Sequence, residues 1–103
     1  MAELLEKQVV TCFLESGGEI LLLRRSRQVG SYQGRWAGVS GYVESTADVQ
    51  ALTEIREETS LCDADISVLK KGGPFGVTDN SMGVRWVVFP YLFHCRDRGK
   101  VKI

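Results

Sequence analysis

The sequence lacks a long hydrophobic run, an excess of either charge and any paired-cysteine motif. Thirteen basic residues balance thirteen acidic ones, so net charge does not favour nucleic acid or a membrane surface as a partner. No apolar run approaches the roughly 20 residues of a membrane-spanning helix. Cys12, Cys62 and Cys95 are far apart, and with a single histidine they form no zinc pattern. We therefore expect free thiols in a reducing compartment, with no membrane and no stable nucleic-acid partner.

A chain of 103 residues is long enough for one domain with a real core but little surplus. Its apolar fraction of 44% is ordinary for a globular protein. Residues 1–7 are charged and lack the apolar centre of a secretion signal. These features predict a single cytoplasmic domain.

Strand patterns occupy the beginning and the end of the chain. Residues 8–15 and 20–25 are rich in apolar and β-branched residues and flank a Gly-Gly turn, which predicts a β-hairpin. Residues 36–43 form a short extended segment whose glycines indicate a bulge or a close backbone approach. Residues 65–70 and 84–95 are predicted strands joined by a loop over 72–83. A polar turn and the start of another strand are predicted over residues 96–103.

The predicted strand 84–95 is apolar at both sets of alternating positions, which predicts that both of its faces are buried. Pro90 within it indicates an edge position or a bulge. Only one helix is evident, so the second face needs cover from the bent sheet itself, from a partner, or from sequence absent from this chain.

The one predicted helix begins near Ser45, a plausible N-cap, with Asp48 at the third helical position of an approximate capping box. Its apolar stripe is predicted to be Val49, Leu52 and Ile55.

The same helix carries three carboxylates, Glu54, Glu57 and Glu58, with no cation four residues from any of them. Glu54 and Glu58 are a like-charge pair at i, i+4, which costs a few tenths of a kcal/mol. Glu57 and Glu58 also crowd the last turn, where the helix dipole prefers cations. A solvated acidic face is the ordinary alternative. Because both arrangements destabilise the helix, we expect the three carboxylates to bind a positive ligand, most simply a divalent metal.

Helical geometry places Glu54 and Glu58 away from Leu52 and beside the small residues Ala47 and Ala51. The acidic face is therefore flanked by short side chains. This leaves room for close approach to the acidic face.

The sequence around these carboxylates resembles the signature of the Nudix hydrolases, G-x5-E-x7-R-E-U-x-E-E-x-G-U, where U is apolar. Residues 53–61 (TEIREETSL) match its second half, and residues 36–44 (WAGVSGYVE) resemble the segment that leads into it. Residues 21–25 (LLLRR) are similar to the preceding strand. The resemblance covers most of the chain. It implies an α+β fold with a mixed β-sheet and one catalytic helix, and an α/β/α sandwich in the complete domain.

The sequence departs from that signature at three residues. Gly41 matches the first glycine, but the segment after it is shorter, and Ser45 and Thr46 stand where the first glutamate belongs. Thr53 occupies the position of the arginine that orients the glutamates in the family, and Ser60 that of the late glycine.

Nudix domains are also longer than this chain. The resemblance therefore implies that residues 1–103 form a single Nudix-like domain without the usual C-terminal strand and helix.

The resemblance implies a MutT-like hydrolase that uses Mg²⁺ or Mn²⁺ to cleave the pyrophosphate bond of a nucleoside diphosphate linked to another moiety. Mg²⁺ prefers oxygen ligands and keeps several waters. By resemblance the catalytic metal ligands are Glu54, Glu57 and Glu58, with the backbone carbonyl near Ser40. Glu44 is the nearest acidic substitute for the missing glutamate, although a surface role is the ordinary alternative.

The resemblance also suggests substrate contacts, which are less specific. Arg24 and Arg25 are adjacent on a predicted strand and point to opposite faces, so only one of them can join Arg35 in binding phosphate oxygens. Trp36, Tyr42 and Trp86 are candidates for stacking on a base, and a place in the core is the alternative for the tryptophans.

Three functions follow from these observations. The first is a metal-dependent pyrophosphohydrolase with a nucleotide-like small-molecule substrate. The second is a Nudix-like module that binds nucleotides without turnover, because the signature arginine and first glutamate are missing. The third is an interaction domain, or a fragment of a larger protein, that completes its sheet with another chain, for example as a homodimer.

Overall fold

The computed structural model describes residues 4–24 and 36–102. These residues form eight strands, one α-helix and two short 3-10 turns, at Asp63–Asp65 and Arg98–Lys100. The helix α1 is Ala47–Thr59, and the strands are β1 Leu5–Ser16, β2 Glu19–Leu21, β3 Leu23–Arg24, β4 Trp36–Ala37, β5 Val39–Tyr42, β6 Ile66–Lys71, β7 Phe75–Asp79 and β8 Val84–Cys95.

The predicted N-terminal hairpin is confirmed. β1 and β2 pair antiparallel, with Leu14 opposite Leu21 and Ser16 opposite Glu19. Gly17 and Gly18 between them have φ angles of 61° and 83°. Two successive positive φ angles match the twist of a two-residue hairpin and favour glycine at both positions.

β1 and β8 form the centre of a six-stranded mixed sheet. They run parallel over their whole length, from Leu5 opposite Val84 to Glu15 opposite His94. All other pairs are antiparallel: β2 and β5 lie along β1, and β6 and β7 along β8. The predicted α+β fold, a mixed sheet with one helix, is therefore confirmed.

The core lies between α1 and one face of the sheet. Buried side chains of the central strands and the helix fill it, namely Val10, Cys12, Leu14, Ala51, Ile55, Tyr91, Phe93 and Cys95. On the opposite face Val88 and Leu92 are only half-buried. The prediction that both faces of the last long strand are buried is therefore wrong for its middle.

Pro90 lies in a central strand, so the predicted edge position is wrong. β8 pairs with β1 throughout this region, where Pro90 is opposite Thr11. On its other side, pairing with β7 ends at Val88 and pairing with β6 begins at Tyr91. Pro90 thus sits where one neighbouring strand gives way to the next, and a missing N–H is tolerated there.

The predicted loop 72–83 contains a strand, β7, which the sequence pattern did not reveal. The strand is only five residues long, and turn residues at 72–74 (GGP) and 80–83 (NSMG) flank it, so the whole segment resembles a loop. Near the end of the chain, the 3-10 turn Arg98–Lys100 is followed by an irregular segment over residues 101–102 rather than the predicted strand.

The helix begins one residue later than predicted. Thr46, not Ser45, is the N-cap, and its Oγ1 accepts a hydrogen bond of 3.2 Å from the Val49 N–H. Val49 is 54% exposed, so it does not belong to the apolar stripe, whereas Ile55 is fully buried. The helix is rotated so that Ala51 and Ile55 face the sheet, which lets α1 lie close to β1 and β5.

At its C-terminus α1 ends on Ser60, in the left-handed region with φ 64°. The Ser60 N–H donates to the Arg56 carbonyl oxygen at 2.9 Å. This closing conformation favours glycine, the residue that the signature described above has at this position. Among the described residues α1 is the only α-helix, and it is too short and too polar to cross a membrane.

All three cysteines are free, as predicted. Cys12 is buried beneath α1, where its thiol donates to the Ala51 carbonyl at 3.9 Å. Burial, with a smaller effect of the Glu54 charge, raises the pKa of Cys12 to about 12. A thiol with such a pKa is unreactive at neutral pH.

Candidate active site

Glu54 on α1 packs directly against the backbone of Gly41 on β5. A Cβ atom placed on Gly41 would overlap the Oε1 and Cδ atoms of Glu54. Gly41 therefore lacks a side chain because the glutamate occupies that space. The close approach to the acidic face of the helix is made by this strand.

Gln50 holds the same carboxylate from the other side. It lies one turn before Glu54, is only 7% exposed, and donates from Nε2 to Glu54 Oε1 at 2.8 Å. Its own Oε1 accepts the backbone N–H of Glu44 at 3.2 Å. Sequence reasoning missed Gln50, although its i, i+4 spacing from Glu54 is a known signal for a side-chain hydrogen bond on a helix.

Burial and neighbouring carboxylates both act against the ionised form of Glu54. Burial raises the pKa of Glu54, and the charges of Glu57, Glu58 and Glu44 raise it further, against the opposing hydrogen bond from Gln50. Within residues 4–24 and 36–102, no lysine or arginine forms an ion pair with any of these four glutamates. A bound cation would therefore reduce the repulsion between these carboxylates.

Thr53, at the position of the signature arginine, takes no part in this arrangement. Its hydroxyl donates to the carbonyl oxygen of Val49 on the preceding turn, at 2.9 Å. A threonine side chain engaged with its own helix cannot orient Glu54.

The Ser40 carbonyl lies beside the same site. Val43 donates its N–H to the Gln8 oxygen at 3.0 Å, and hydrogen-bonded and non-hydrogen-bonded pairs alternate along an antiparallel ladder. The pair Thr11–Ser40, three residues along the register, is therefore non-hydrogen-bonded. The Ser40 carbonyl thus points away from β1, toward the outer edge of β5.

Tyr42 follows Gly41 on the strand, so the Tyr42 side chain points to the opposite face of the sheet. Its ring is 53% exposed and stacks on buried Trp86, with ring centroids 6.2 Å apart. Lys7 Nζ lies 5.5 Å from the Tyr42 centroid and 5.9 Å from that of Trp86. The structure brings two of the three candidate aromatic residues together, but across the sheet from the carboxylates.

The remaining predicted substrate contacts are only partly placed. Arg25 and Arg35 lie outside the described residues. Arg24 and Trp36 pair as backbone partners between β3 and β4, and their side chains are not described. These four assignments stay predictions.

The donor set of the site suits a hard divalent cation, since it consists of carboxylate and backbone carbonyl oxygens. Glu57 and Glu58 extend from exposed positions of the last helical turns. In the part of the chain that the structure describes, no three His, Cys, Asp or Glu side chains lie close enough together to share an ion. The exposed glutamates would have to converge on Glu54 to bind a metal.

Comparison with known proteins gives a family match and several similar structures. The profile of the NUDIX domain family matches residues 5–103. An Ap4A hydrolase of Caenorhabditis elegans is 15% identical, with 97% of this chain and 74% of that chain covered and a TM-score of 0.65. The MutT protein of Methanosarcina mazei is 21% identical, with 92% and 66% covered and a TM-score of 0.67.

A bifunctional NMN adenylyltransferase/ADP ribose pyrophosphatase of Francisella tularensis is also 21% identical, with 86% of this chain and 27% of that chain covered and a TM-score of 0.71. At these identities the solved structures show a shared fold. This chain spans between about a quarter and three quarters of the length of these three structures.

Proposed function

Because the chain belongs to the Nudix family, we propose that it uses a divalent metal to hydrolyse the pyrophosphate bond of a nucleoside diphosphate linked to another moiety. The predicted family is confirmed, and the enzyme class that goes with it is a Nudix pyrophosphohydrolase. The observation that carries the proposal is Glu54, wedged between Gly41 and Gln50 in the negative field of three further glutamates.

Glu54, Glu57 and Glu58 would hold Mg²⁺ or Mn²⁺, with the Ser40 carbonyl at the adjacent strand edge and Glu44 as an additional acid. Such a metal neutralises phosphate charge and lowers the pKa of a bound water. In this proposal α1 supplies the carboxylates from successive turns, and one of them orients or deprotonates the attacking water. Gly41 lets the helix approach closely enough for the strand carbonyl and the helix carboxylates to act on one substrate.

Tyr42 is the best described candidate for contact with the base. Its exposed ring, backed by Trp86, offers the kind of flat surface on which a base stacks. Among the described strands β5 pairs with β1 alone, so a substrate could pass around its outer edge from the carboxylates to this ring. Arg35, together with either Arg24 or Arg25, is the proposed phosphate contact.

The test is hydrolysis of a broad panel of nucleoside diphosphate derivatives with Mg²⁺ and with Mn²⁺, by wild type and by Glu57→Gln. We expect the variant to lose more than about 100-fold in turnover, because a metal ligand contributes more than its outer-shell partners. Glu6→Gln, an exposed glutamate on β1, is the matched control and should retain full activity. Equal turnover by wild type and Glu57→Gln would refute the proposal.

A second candidate function is nucleotide binding without turnover. It is favoured by Thr53, whose hydroxyl is bonded to its own helix where the family has an orienting arginine. Calorimetry that shows tight nucleotide binding together with zero hydrolysis would establish it, and normal turnover would exclude it.

Assembly through the sheet is the third possibility. Large apolar side chains of β6 and β7 are exposed, among them Val68, Leu69 and Phe75 at 50% or more. A homodimer, or an association with another chain, would cover them. Light scattering tests this, since a stable monomer at high concentration would argue against it. The predicted cytoplasmic location also stays a proposal.

A further inference from the structure

We propose that Gln50 is the positioning residue of Glu54 and takes over the orienting role of the signature arginine, whose position Thr53 occupies. The inference rests on the proposed metal-dependent hydrolysis and adds a residue that lies outside the signature. The inference is based on the two hydrogen bonds of the buried Gln50 amide.

Both ends of the Gln50 amide are engaged, and the two partners fix its orientation. The Glu44 N–H can only donate, so it requires the amide oxygen, 3.2 Å away. The Glu54 carboxylate can only accept when ionised, so it requires the amide nitrogen, 2.8 Å away. A flipped amide would lose both hydrogen bonds, and the buried side chain has little water to replace them.

The consequence for Glu54 is a fixed carboxylate. The terminal torsion of a glutamate is normally broad, so a free carboxylate samples many directions. Here Gln50 binds Oε1 while the backbone of Gly41 blocks movement toward β5. With one oxygen held and one side blocked, the direction of the second oxygen is set before any metal arrives.

Gln50 also differs from an arginine in charge. An arginine would orient the carboxylate but would cancel part of the negative field that attracts a cation. The amide orients Glu54 and leaves the charge of Glu54, Glu57 and Glu58 intact. Through the Glu44 N–H it also fixes the backbone of the acid that stands nearest to the missing signature glutamate. One side chain therefore compensates for two departures from the signature.

The experiment compares Gln50→Met with wild type in binding Mn²⁺ alone, followed by calorimetry and by the electron paramagnetic resonance spectrum of the bound ion. Methionine has a similar length and volume but no amide. We expect the affinity for Mn²⁺ to fall about 10- to 100-fold, the usual effect of removing a group that orients a ligand, and the spectrum of the bound ion to broaden.

Two further variants make the result decisive. Thr53→Val removes the hydroxyl at the signature position and should leave Mn²⁺ affinity unchanged. Gln50→Asn keeps a buried amide but is one methylene too short to reach Glu54, so it should weaken binding like Gln50→Met, and it serves if the methionine variant fails to fold. Thermal unfolding of the metal-free proteins shows whether each variant is folded.

The outcomes separate the two proposals. If wild type binds Mn²⁺, Glu57→Gln abolishes binding and Gln50→Met binds as wild type does, the role of Gln50 is wrong and the metal site stands. An effect of Thr53→Val as large as that of Gln50→Met would overturn it as well. If wild type itself binds no Mn²⁺, the proposed function fails first.

Discussion

The two ends of α1 carry the same type of side chain in opposite surroundings. Near its start, Asp48 accepts hydrogen bonds from Lys71 Nζ at 2.7 Å and from Tyr91 Oη at 2.5 Å. In its C-terminal half, Glu54 and Glu58 have no such cationic partner among the described residues. Asp48 therefore links the start of the helix to side chains of the sheet, whereas the glutamates of the C-terminal half have no cationic side chain of the described residues as a partner.

The pKa shifts record this difference. The hydrogen bond from Lys71, followed by that from Tyr91, lowers the pKa of Asp48. Burial, followed by the charges of neighbouring glutamates, raises the pKa of Glu54. Folding therefore favours the ionised form of the first acid and disfavours that of the second. A carboxylate whose ionised form is disfavoured by the fold is typical of functional sites, where the residue is retained for its chemistry and not for stability.

The largest expected effect is at Gly41, on the functional side. Gly41→Ala places a methyl group where the Glu54 carboxylate lies, so the carboxylate must move by about 1 Å or more, and such a displacement costs about 100-fold in turnover. Hydrolysis assays at saturating metal measure this. Gly73→Ala is the matched control, since a Cβ there meets nothing within 4 Å. Wild-type turnover in Gly41→Ala would mean that Glu54 has no catalytic role.

On the structural side, Tyr91→Phe should lower the free energy of unfolding by about 1 kcal/mol, because it removes a hydrogen bond to a carboxylate. Turnover per folded molecule should be unchanged, in contrast to Gly41→Ala. Urea unfolding and the hydrolysis assay measure the two quantities. A fall in turnover comparable to that in Gly41→Ala would show that the two ends of α1 do not act independently.

The pH dependence of this variant has a definite sign. The folded pKa of Asp48 is below its ordinary value of 3.8, so its ionised form stabilises the fold above that pH. This contribution is lost as the pH falls through the folded pKa. The difference in stability between wild type and Tyr91→Phe should therefore shrink below pH 4, and a constant difference would show that Asp48 is not the partner that matters.

The sequence was sufficient for the parts of the molecule that depend on local pattern. The Gly17-Gly18 turn, the long apolar strand and the acidic helix each carry a periodicity or a turn residue that predicts them. β7 was missed because it is short and lies between turn residues, and only pairing with β8 makes that segment a strand. Gln50 was missed because its role depends on burial and on the backbone of Glu44, neither of which a signature records.

A further prediction concerns the C-terminus of the same helix. Ser60→Gly should raise the free energy of unfolding by about 0.5–1 kcal/mol, because glycine adopts the left-handed conformation without the steric cost that serine has there. Gly83 has the same φ of 64°, so Gly83→Ser should destabilise by a similar amount. Thermal and urea unfolding measure both. Equal stability of Ser60→Gly and wild type would show that this helix end is not strained.

The smallest expected change in stability, at Glu58, tests most directly whether the two ends of α1 differ. Glu58→Gln removes one like-charge contact with Glu54 and an anion from the last helical turns, so metal-free protein should become more stable by about 0.2–0.5 kcal/mol. Asp48→Asn, at the other end, should reduce stability. If both substitutions destabilise, the two ends do not differ as proposed. If Glu58→Gln stabilises the metal-free protein but weakens Mn²⁺ binding, Glu58 serves cation binding at a cost in the stability of the fold.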